Sequence, residues 1–296
     1  MHKQQFTDSQ LERNQQGTLY VVSTPIGNLD DITIRGINQL KNVDAIACED
    51  KRHSLSLLRH LGIEKPLLSY HEHSSDRDIN AILARLDLGE SIALISDAGT
   101  PLVADPGYKL LQALLERSVH VAPIPGVTAC MAALSVSGLA TDRFNFVGFL
   151  PAKKEARRSQ LEALKGSQPT QIFYESPHRI IDSLQDLSEV LGSQRRACIA
   201  RELTKHFETI LRGTLSELIE ILNTDDNQKK GEFVVLVEGN SKAEQADQFV
   251  AQARDMLPVL LEEMSLKQAS ALAAKLTGAK KNAVYQLALS LKDKAR

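Results

Sequence analysis

The amino-acid sequence predicts an α/β protein with two α/β domains and a small all-helical domain at the C-terminus. From residue 17 onward, short apolar runs rich in β-branched residues alternate with helical stretches, which is typical of crossover units on a largely parallel sheet. After a Pro- and Gly-rich breaker at 123–126, neighbouring apolar runs have short connections, which indicates a second, mixed sheet. The last segment has only helical periodicity.

The first half of the chain contains four predicted strands, at 19–23, 45–48, 91–96 and 119–124. Three helices are predicted between or after them: one beginning after Thr33, one carrying Leu57, Leu58 and Leu61, and one at about 108–116. A chain of 296 residues is long for one domain and comfortable for two.

The second half contains predicted strands at 144–149, 171–174, 197–203, 208–211 and 232–237. Helices are predicted at 128–136, at 178–191 and after Gly213, and a polar linker is predicted at 239–247. Leucine and alanine residues spaced three or four apart then predict two short helices on either side of the Thr277-Gly278 break. A helix-turn-helix unit and a plain helical hairpin fit this pair equally well.

These patterns divide the chain into four parts. We predict a disordered N-terminal tail at 1–16, an N-terminal α/β domain at 17–122, a C-terminal α/β domain at 123–240 and a helical domain at 241–296.

Composition excludes several classes of protein. Hydrophobic residues make up 43% of the chain and charged residues 24%, which favours neither a disordered nor a membrane protein. Neither a signal peptide nor an apolar run of about eighteen residues is present, so we expect no membrane segment and a cytoplasmic location. The separated cysteines Cys48, Cys130 and Cys198 are expected to be reduced core residues.

A net charge of -2 gives no support for nucleic-acid binding, so positive charge would have to be concentrated locally. One such cluster is formed by Lys153, Lys154, Arg157 and Arg158. Solvated helix faces and RNA contacts explain this cluster equally well.

Two loops follow predicted strands at the sheet edge where open α/β folds bind ligands. The first reads TPIGNLDDIT at 24–33, and a capped turn would explain it as well as a ligand site. The second, SDAGTPLVADPG at 96–107, holds two glycines, two prolines and two aspartates, which favours a ligand site over a simple connection. The chain lacks GxGxxG and GxxxxGK[ST] sequences, so dinucleotide and P-loop sites lose their main support.

Several segments together resemble the tetrapyrrole-methylase superfamily, the class III methyltransferases. They are the two loops above, PIPGVTA at 123–129, FYESPHR at 173–179 and RELTK at 201–205. Within this superfamily they are most similar to the branch that methylates small-subunit ribosomal RNA. The match runs in order from about residue 17 to residue 239, and the helical tail also resembles that branch.

The resemblance implies S-adenosylmethionine bound between the two α/β domains, usually in a homodimer. It also implies methylation of a cytidine ribose 2'-hydroxyl in the decoding region of 16S rRNA, with rRNA or the assembled small subunit as the partner. Carried over by position, the implied cofactor contacts are Pro25, Asp97, Gly99, Thr100, Thr128, Ala129, Tyr174 and Leu203.

A ribose hydroxyl is a poor nucleophile until a neighbouring group accepts its proton. Glu49 or Asp50, directly after the second strand, is the predicted base, and Arg52 beside them could bind a phosphate. A helix N-terminus stabilised by two acids is the structural alternative. His178, Arg179 and Lys205 are predicted phosphate contacts, although capping explains them almost as well.

The pattern His71-Glu72-His73 has no partner at metal-ligand spacing, so no metal site is predicted. Two other functions stay open. Many tetrapyrrole-modifying relatives carry a Gly-rich first loop and a GDP second loop, so TPIGN and SDAGTP argue against a methyltransferase acting on a tetrapyrrole or another small molecule. The other alternative is a helix-turn-helix regulator whose α/β domain senses a metabolite.

Overall fold

Short buried runs of aliphatic residues form the first sheet. The computed structural model describes residues 17–294, so the predicted disordered tail at 1–16 lies outside the described residues. The strands are β1 Thr18–Val22, β2 Ala45–Cys48, β3 Leu67–Ser69, β4 Ile92–Ile95 and β5 His120–Ile124. They pair in the order β3-β2-β4-β1-β5, and every pairing is parallel, as predicted.

Helices cover both faces of this sheet, as a parallel sheet requires. They are α1 Ile34–Asn42, α2 Lys51–His60, α3 Asp76–Asp87 and α4 Tyr108–Glu116. Leu19 packs with α3 and α4 on one face, and Val22 packs with α1 and α2 on the other. Because all five strands run the same way, their following loops meet at one edge.

The second sheet is mixed, also as predicted. Its strands are β6 Phe144–Phe149, β7 Thr170–Glu175, β8 Arg196–Arg201, β9 Thr209–Thr214 and β10 Phe233–Val237, in the order β6-β7-β10-β8-β9. Only β6 and β7 are parallel. Its helices are α5 Ala129–Val136, α6 Lys154–Leu164, α7 Ile180–Leu191 and α8 Leu215–Thr224. The helix α5 packs on one face of this sheet, and the other three helices pack on the opposite face.

The C-terminal part is a three-helix unit: α9 Lys242–Glu263, α10 Leu266–Thr277 and α11 Lys281–Lys294. Ala253 and Leu257 of α9 contact a core that both later helices share. The predicted linker at 239–247 is wrong, because α9 begins at Lys242. Residues 242–248 are polar but rich in strong helix formers, so polarity did not indicate a linker there. The predicted break holds, with Gly278 at φ +79 ending α10.

The last strand of the first sheet, β5, extends to Ile124, two residues past the predicted limit of the N-terminal domain at residue 122. Pro123 is tolerated there because β5 is an edge strand. The domain limits stay predictions. The three cysteines are buried and free, as expected. Among residues 17–294, no helix has the length and apolar character needed to cross a membrane.

Candidate active site

Three loops at the carboxyl edge of the first sheet are tied together by hydrogen bonds. The backbone N–H of Thr24 donates to the Gly99 carbonyl at 2.8 Å, and the Gly99 N–H donates back at 3.1 Å. The hydroxyls of Ser23 and Thr100 are 2.8 Å apart, and Thr100 also donates to the Val127 carbonyl at 3.3 Å. The loops after β1, β4 and β5 therefore form one connected surface.

The loop after β4 has an unusual backbone. Gly99 is left-handed, at φ +82, and the non-glycine residues Leu102 and Ala104 are also left-handed, at φ 71 and φ 65. Such conformations cost of order 1–3 kcal/mol for residues with a side chain and cluster at functional sites. The loop is therefore held in a shape that a simple connection does not need.

Two adjoining cavities lie between this surface and the second sheet. The first has a volume of about 240 Å³ and the second about 290 Å³, and both are lined by Ile26, Ala98 and Glu232. Together they reach the range of small-molecule and cofactor sites, roughly 300–1,000 Å³.

All eight predicted cofactor contacts line these two cavities. Six of them line the first: Gly99, Thr100, Thr128, Ala129, Tyr174 and Leu203. Pro25 and Asp97 line the second. The fold thus brings together residues up to 178 positions apart in the chain (203 minus 25), while their contact with a cofactor stays a prediction.

Tyr174, from β7, forms a wall of the first cavity. Its hydroxyl accepts a hydrogen bond from the Cys130 backbone N–H at 3.2 Å, which links β7 to the start of α5. Burial is the main cause that raises the pKa of Tyr174 above its ordinary value. Its ring packs edge to face against Phe146 and Phe149, with centroid distances of 4.9 and 5.7 Å.

Asp105 lines the first cavity and has one buried carboxylate oxygen, Oδ2, without a hydrogen-bond partner among the described residues. Burial raises the pKa of this carboxyl, the Ser96 hydroxyl lowers it, and the charge of Asp97 raises it further. A cationic group in the cavity would offset this cost.

Glu49 belongs to the same acidic cluster, which we define as Glu49, Asp97 and Asp105. The Glu49 side chain is half-buried, and its pKa is raised first by burial, then by the charges of Asp97 and Asp105. Asp50 has different surroundings from Glu49. It is exposed and caps α2, where its Oδ1 accepts a hydrogen bond from the Arg52 N–H at 2.7 Å. Of the two predicted bases, Glu49 has the environment of a tuned proton acceptor.

The four predicted phosphate contacts differ in their surroundings. Arg52 and His178 are exposed. Arg179 Nη2 donates to the carbonyls of Leu150 and Pro151 at 2.6 and 3.1 Å, so part of its guanidinium is used within the fold. The ammonium of Lys205 donates to two carboxylates, those of Glu202 and Glu232, at 2.9 and 3.0 Å. All four stay predictions as substrate contacts.

Asp105, Glu232 and Phe149 are among the cavity-lining residues that sequence reasoning missed. Asp105 had a usable signal, because it lies in the same Gly- and Pro-rich loop as Asp97. Glu232 and Phe149 had no such signal in the sequence. Glu232 precedes β10 and Phe149 ends β6, so strand pairing decides what their side chains contact.

Asp105→Asn is expected to stabilise the ligand-free protein at neutral pH. Because burial raises the pKa of Asp105, the folded state binds this proton more tightly than the unfolded chain does. The cost of the ionised carboxylate is absent below the ordinary pKa of aspartate and fully present above the raised pKa. Thermal unfolding should therefore show a higher midpoint for the variant at pH 7, and the gain should vanish in acid.

The exposed Asp142 provides the control, because Asp142→Asn should leave the midpoint close to that of the wild type at both pH values. A midpoint for Asp105→Asn below that of the wild type at pH 7 would contradict the expectation.

Comparison with known proteins identifies the family. The family model of tetrapyrrole (corrin/porphyrin) methylases matches residues 18–219, and the model of the RsmI C-terminal HTH domain matches residues 247–292. The chain is 50% identical to ribosomal RNA small subunit methyltransferase I of Pseudomonas aeruginosa, across 94% of this chain and 99% of that protein. It is 48% identical to the protein of the same name from Haemophilus influenzae, across 94% and 98% of the two chains.

Solved structures agree on the fold. A cobalt precorrin-4 methyltransferase superposes with a TM-score of 0.54 at 17% identity, covering 75% of this chain and 94% of that one. A uroporphyrin III C-methyltransferase from Thermus thermophilus gives 0.52 at 18% identity, with coverage of 74% and 97%. The resemblance and fold class predicted from the motifs are confirmed. The chain belongs to the tetrapyrrole (corrin/porphyrin) methylase family, within the group of proteins named ribosomal RNA small subunit methyltransferase I.

Proposed function

We propose that this protein uses S-adenosylmethionine to methylate the 2'-hydroxyl of a cytidine ribose in the decoding region of 16S rRNA. The observation that carries the proposal is the pair of adjoining cavities, which gather all eight predicted cofactor contacts and have Asp97 and Asp105 of the acidic cluster in their lining. The names of relatives at about half identity support small-subunit rRNA as the substrate. The assembled subunit or the free rRNA is the proposed partner.

The residues present suit S-adenosylmethionine, which carries a sulfonium, an ammonium and one carboxylate, and which has no phosphate group. The acidic cluster would offer negative charge to the sulfonium and the ammonium, and a cationic group nearby would offset the cost of burying the Asp105 carboxylate. Apolar side chains of Ile26 and Leu203 line the first cavity and suit the adenine ring. When bound, the cofactor supplies an electrophilic methyl group.

The protein contributes position and proton transfer. Its three connected loops would hold the reacting carbon and oxygen in near-attack geometry, which can supply several kcal/mol of the barrier. Glu49 would accept the proton of the ribose hydroxyl, since a carboxylate with a raised pKa is the stronger base. The exposed cations Arg52 and His178 would contact RNA phosphates.

The helical domain, which matches an HTH family model, would add RNA contacts. A homodimer and a cytoplasmic location follow from the family resemblance. No group of three or more His, Cys, Asp or Glu side chains suited to a metal occurs within residues 17–294, and we propose a reaction that uses none.

The test is methyl transfer from radiolabelled S-adenosylmethionine to small ribosomal subunits that lack their native modification, with the product mapped by mass spectrometry. Wild type should methylate one cytidine ribose in the decoding region. Asp97→Ala should lower cofactor affinity by about tenfold or more, since it removes a charged contact. Asp142→Ala, which changes an exposed aspartate two residues before β6, is the matched control and should behave as wild type.

Two outcomes would overturn the proposal. Cofactor binding measured by calorimetry, without transfer to subunits or free rRNA, would redirect the search to small-molecule acceptors. The absence of any cofactor binding would favour a regulator that senses another metabolite.

A further inference from the structure

A β-bulge in β6 decides which way Phe149 faces. Along β6 and β7, Phe146 pairs with Ile172, but Gly148 pairs with Phe173 and Phe149 with Tyr174, so Val147 is an extra residue. Gly148 has φ +75, a conformation that glycine adopts without strain. The bulge moves Phe149 onto the face of Tyr174, away from the core beneath α6 and α7.

Phe149 is consequently an exposed aromatic residue at the mouth of a cavity. The residue is 56% exposed, although it lines the first cavity and its ring contacts Tyr174 at 5.7 Å between centroids. Without the bulge, strand alternation would direct it to the core face that holds Val147 and Leu150. Packing alone therefore gives no reason for its position.

The segment that follows Phe149 is fixed by an ion pair between the half-buried Arg179 and the buried Glu175. Arg179 donates to the carbonyls of Leu150 and Pro151, and it lies 3.5 Å from the Glu175 carboxylate. Glu175 is 3% exposed and accepts hydrogen bonds from the Ser176 N–H at 2.8 Å and the Ser183 hydroxyl at 2.5 Å. Arg179 thus acts as a positioning residue that holds the aromatic ring at the mouth.

Two lysines extend the same segment. Lys153 and Lys154 are exposed at the start of α6, whereas Arg157 turns inward to Asp186 at 2.7 Å. The mouth therefore presents an aromatic ring followed, four and five residues later, by two exposed cations. Proteins that bind single-stranded nucleic acid combine stacking rings with cations in this way.

We propose that the segment 149–154 is an RNA-binding rim: Phe149 stacks on a base of the substrate RNA, and Lys153 and Lys154 bind its phosphates. This inference rests on the proposed function and deepens it. RNA explains the rim better than the adenine of the cofactor does, because S-adenosylmethionine has no phosphate for the lysines. The half-exposed ring also faces the solvent from which RNA arrives.

Steady-state kinetics with unmodified small subunits test the stacking contact. Phe149→Ala should raise KM for subunits by about 5- to 150-fold, which corresponds to the roughly 1–3 kcal/mol that stacking on a base contributes. Phe149→Leu keeps an apolar side chain but removes the aromatic face, so it should raise KM about as much as Phe149→Ala does. Phe149→Trp keeps an aromatic face and should leave KM close to the wild-type value. Calorimetry should show unchanged affinity for S-adenosylhomocysteine. Phe144→Ala, at the other end of the same strand and also exposed, should leave KM unchanged.

The lysines and Arg179 need separate readouts. In the double variant Lys153→Ala, Lys154→Ala, the slope of log kcat/KM against log salt concentration should become shallower by about two. Lys165→Ala, just beyond the far end of α6, should leave the slope unchanged. Arg179→Lys should raise KM for subunits less than Phe149→Ala does and leave affinity for S-adenosylhomocysteine unchanged.

Three other results would overturn this inference. If Phe149→Leu matches wild type, stacking is overturned. If Phe149→Ala instead weakens S-adenosylhomocysteine binding, the ring holds adenine and the RNA rim is overturned. Should the wild type fail to methylate subunits at all, the proposed function fails and the rim fails with it, which separates this outcome from the previous two.

Discussion

Glu49→Gln is expected to lower kcat for methyl transfer by about 10²- to 10⁴-fold, the usual contribution of a general base. The amide keeps the size of the side chain and removes its ability to accept a proton. Burial and the neighbouring carboxylates raise the pKa of Glu49, so ionised Glu49 is a stronger base than ordinary glutamate. Because the base must be ionised, the wild-type rate should fall as pH drops through this raised pKa. The variant should lack that limb of the profile.

Single-turnover rates with saturating cofactor and small subunits measure this effect apart from binding. Glu64→Gln is the matched control, because Glu64 is exposed and precedes β3, at the opposite edge of the sheet. Asp50→Asn distinguishes the two predicted bases, since asparagine can still cap α2. If Asp50→Asn loses more activity than Glu49→Gln, the base is Asp50 and the assignment made here is wrong.

Asp186→Ala is expected to lower the free energy of unfolding by about 3–5 kcal/mol, which is typical when a buried ion pair loses one partner. Asp186 on α7 and Arg157 on α6 are 2% and 5% exposed, with 2.7 Å between the carboxylate and the guanidinium. Arg157 also donates to the Ala152 carbonyl at 3.2 Å. The alanine variant would leave this guanidinium buried and short of a counter-charge.

Urea unfolding followed by circular dichroism measures the loss. Asp182→Ala, an exposed acid on the same helix, should cost no more than about 1 kcal/mol, the size of a helix-dipole contribution. Replacing both partners, as Arg157→Met with Asp186→Leu, should recover much of the loss, because two apolar residues leave no unpaired charge. A loss for Asp186→Ala no larger than that of Asp182→Ala would contradict the account.

Hydrophobic pattern predicted most of the fold, and the exceptions have physical causes. The strand β3 was missed because it has only three residues, and α6 because its inward face uses Arg157 together with Leu161. The helix α9 begins with polar helix formers, which resembled a linker. In these three cases tertiary contacts stabilise an element whose local sequence carries a weak signal. The helix α3 was also missed, although its buried residues Ile79, Ile82, Leu83 and Leu86 have helical spacing and a capping box begins it at Ser75.

The site was predicted unevenly for a related reason. Glycine, proline and aspartate residues made the three loops recognisable in the sequence, so their motifs predicted residues that line the cavities. Phe149 was not predicted as a lining residue. A one-residue bulge reverses the face on which the following residues of β6 lie, whereas strand periodicity assumes regular alternation. The partners of Arg179 and Lys205 likewise depend on contacts between segments distant in sequence.

The reciprocal bonds between Thr24 and Gly99 limit how this site could be redesigned or could evolve. An insertion in the loop after β1 would pull on the loop after β4, and through Thr100 it would disturb the loop after β5. Grafting one loop from a tetrapyrrole-modifying relative would disturb the hydrogen bonds that join it to the neighbouring loop. Acceptor preference in this fold should therefore change by exchanging the three loops as a set.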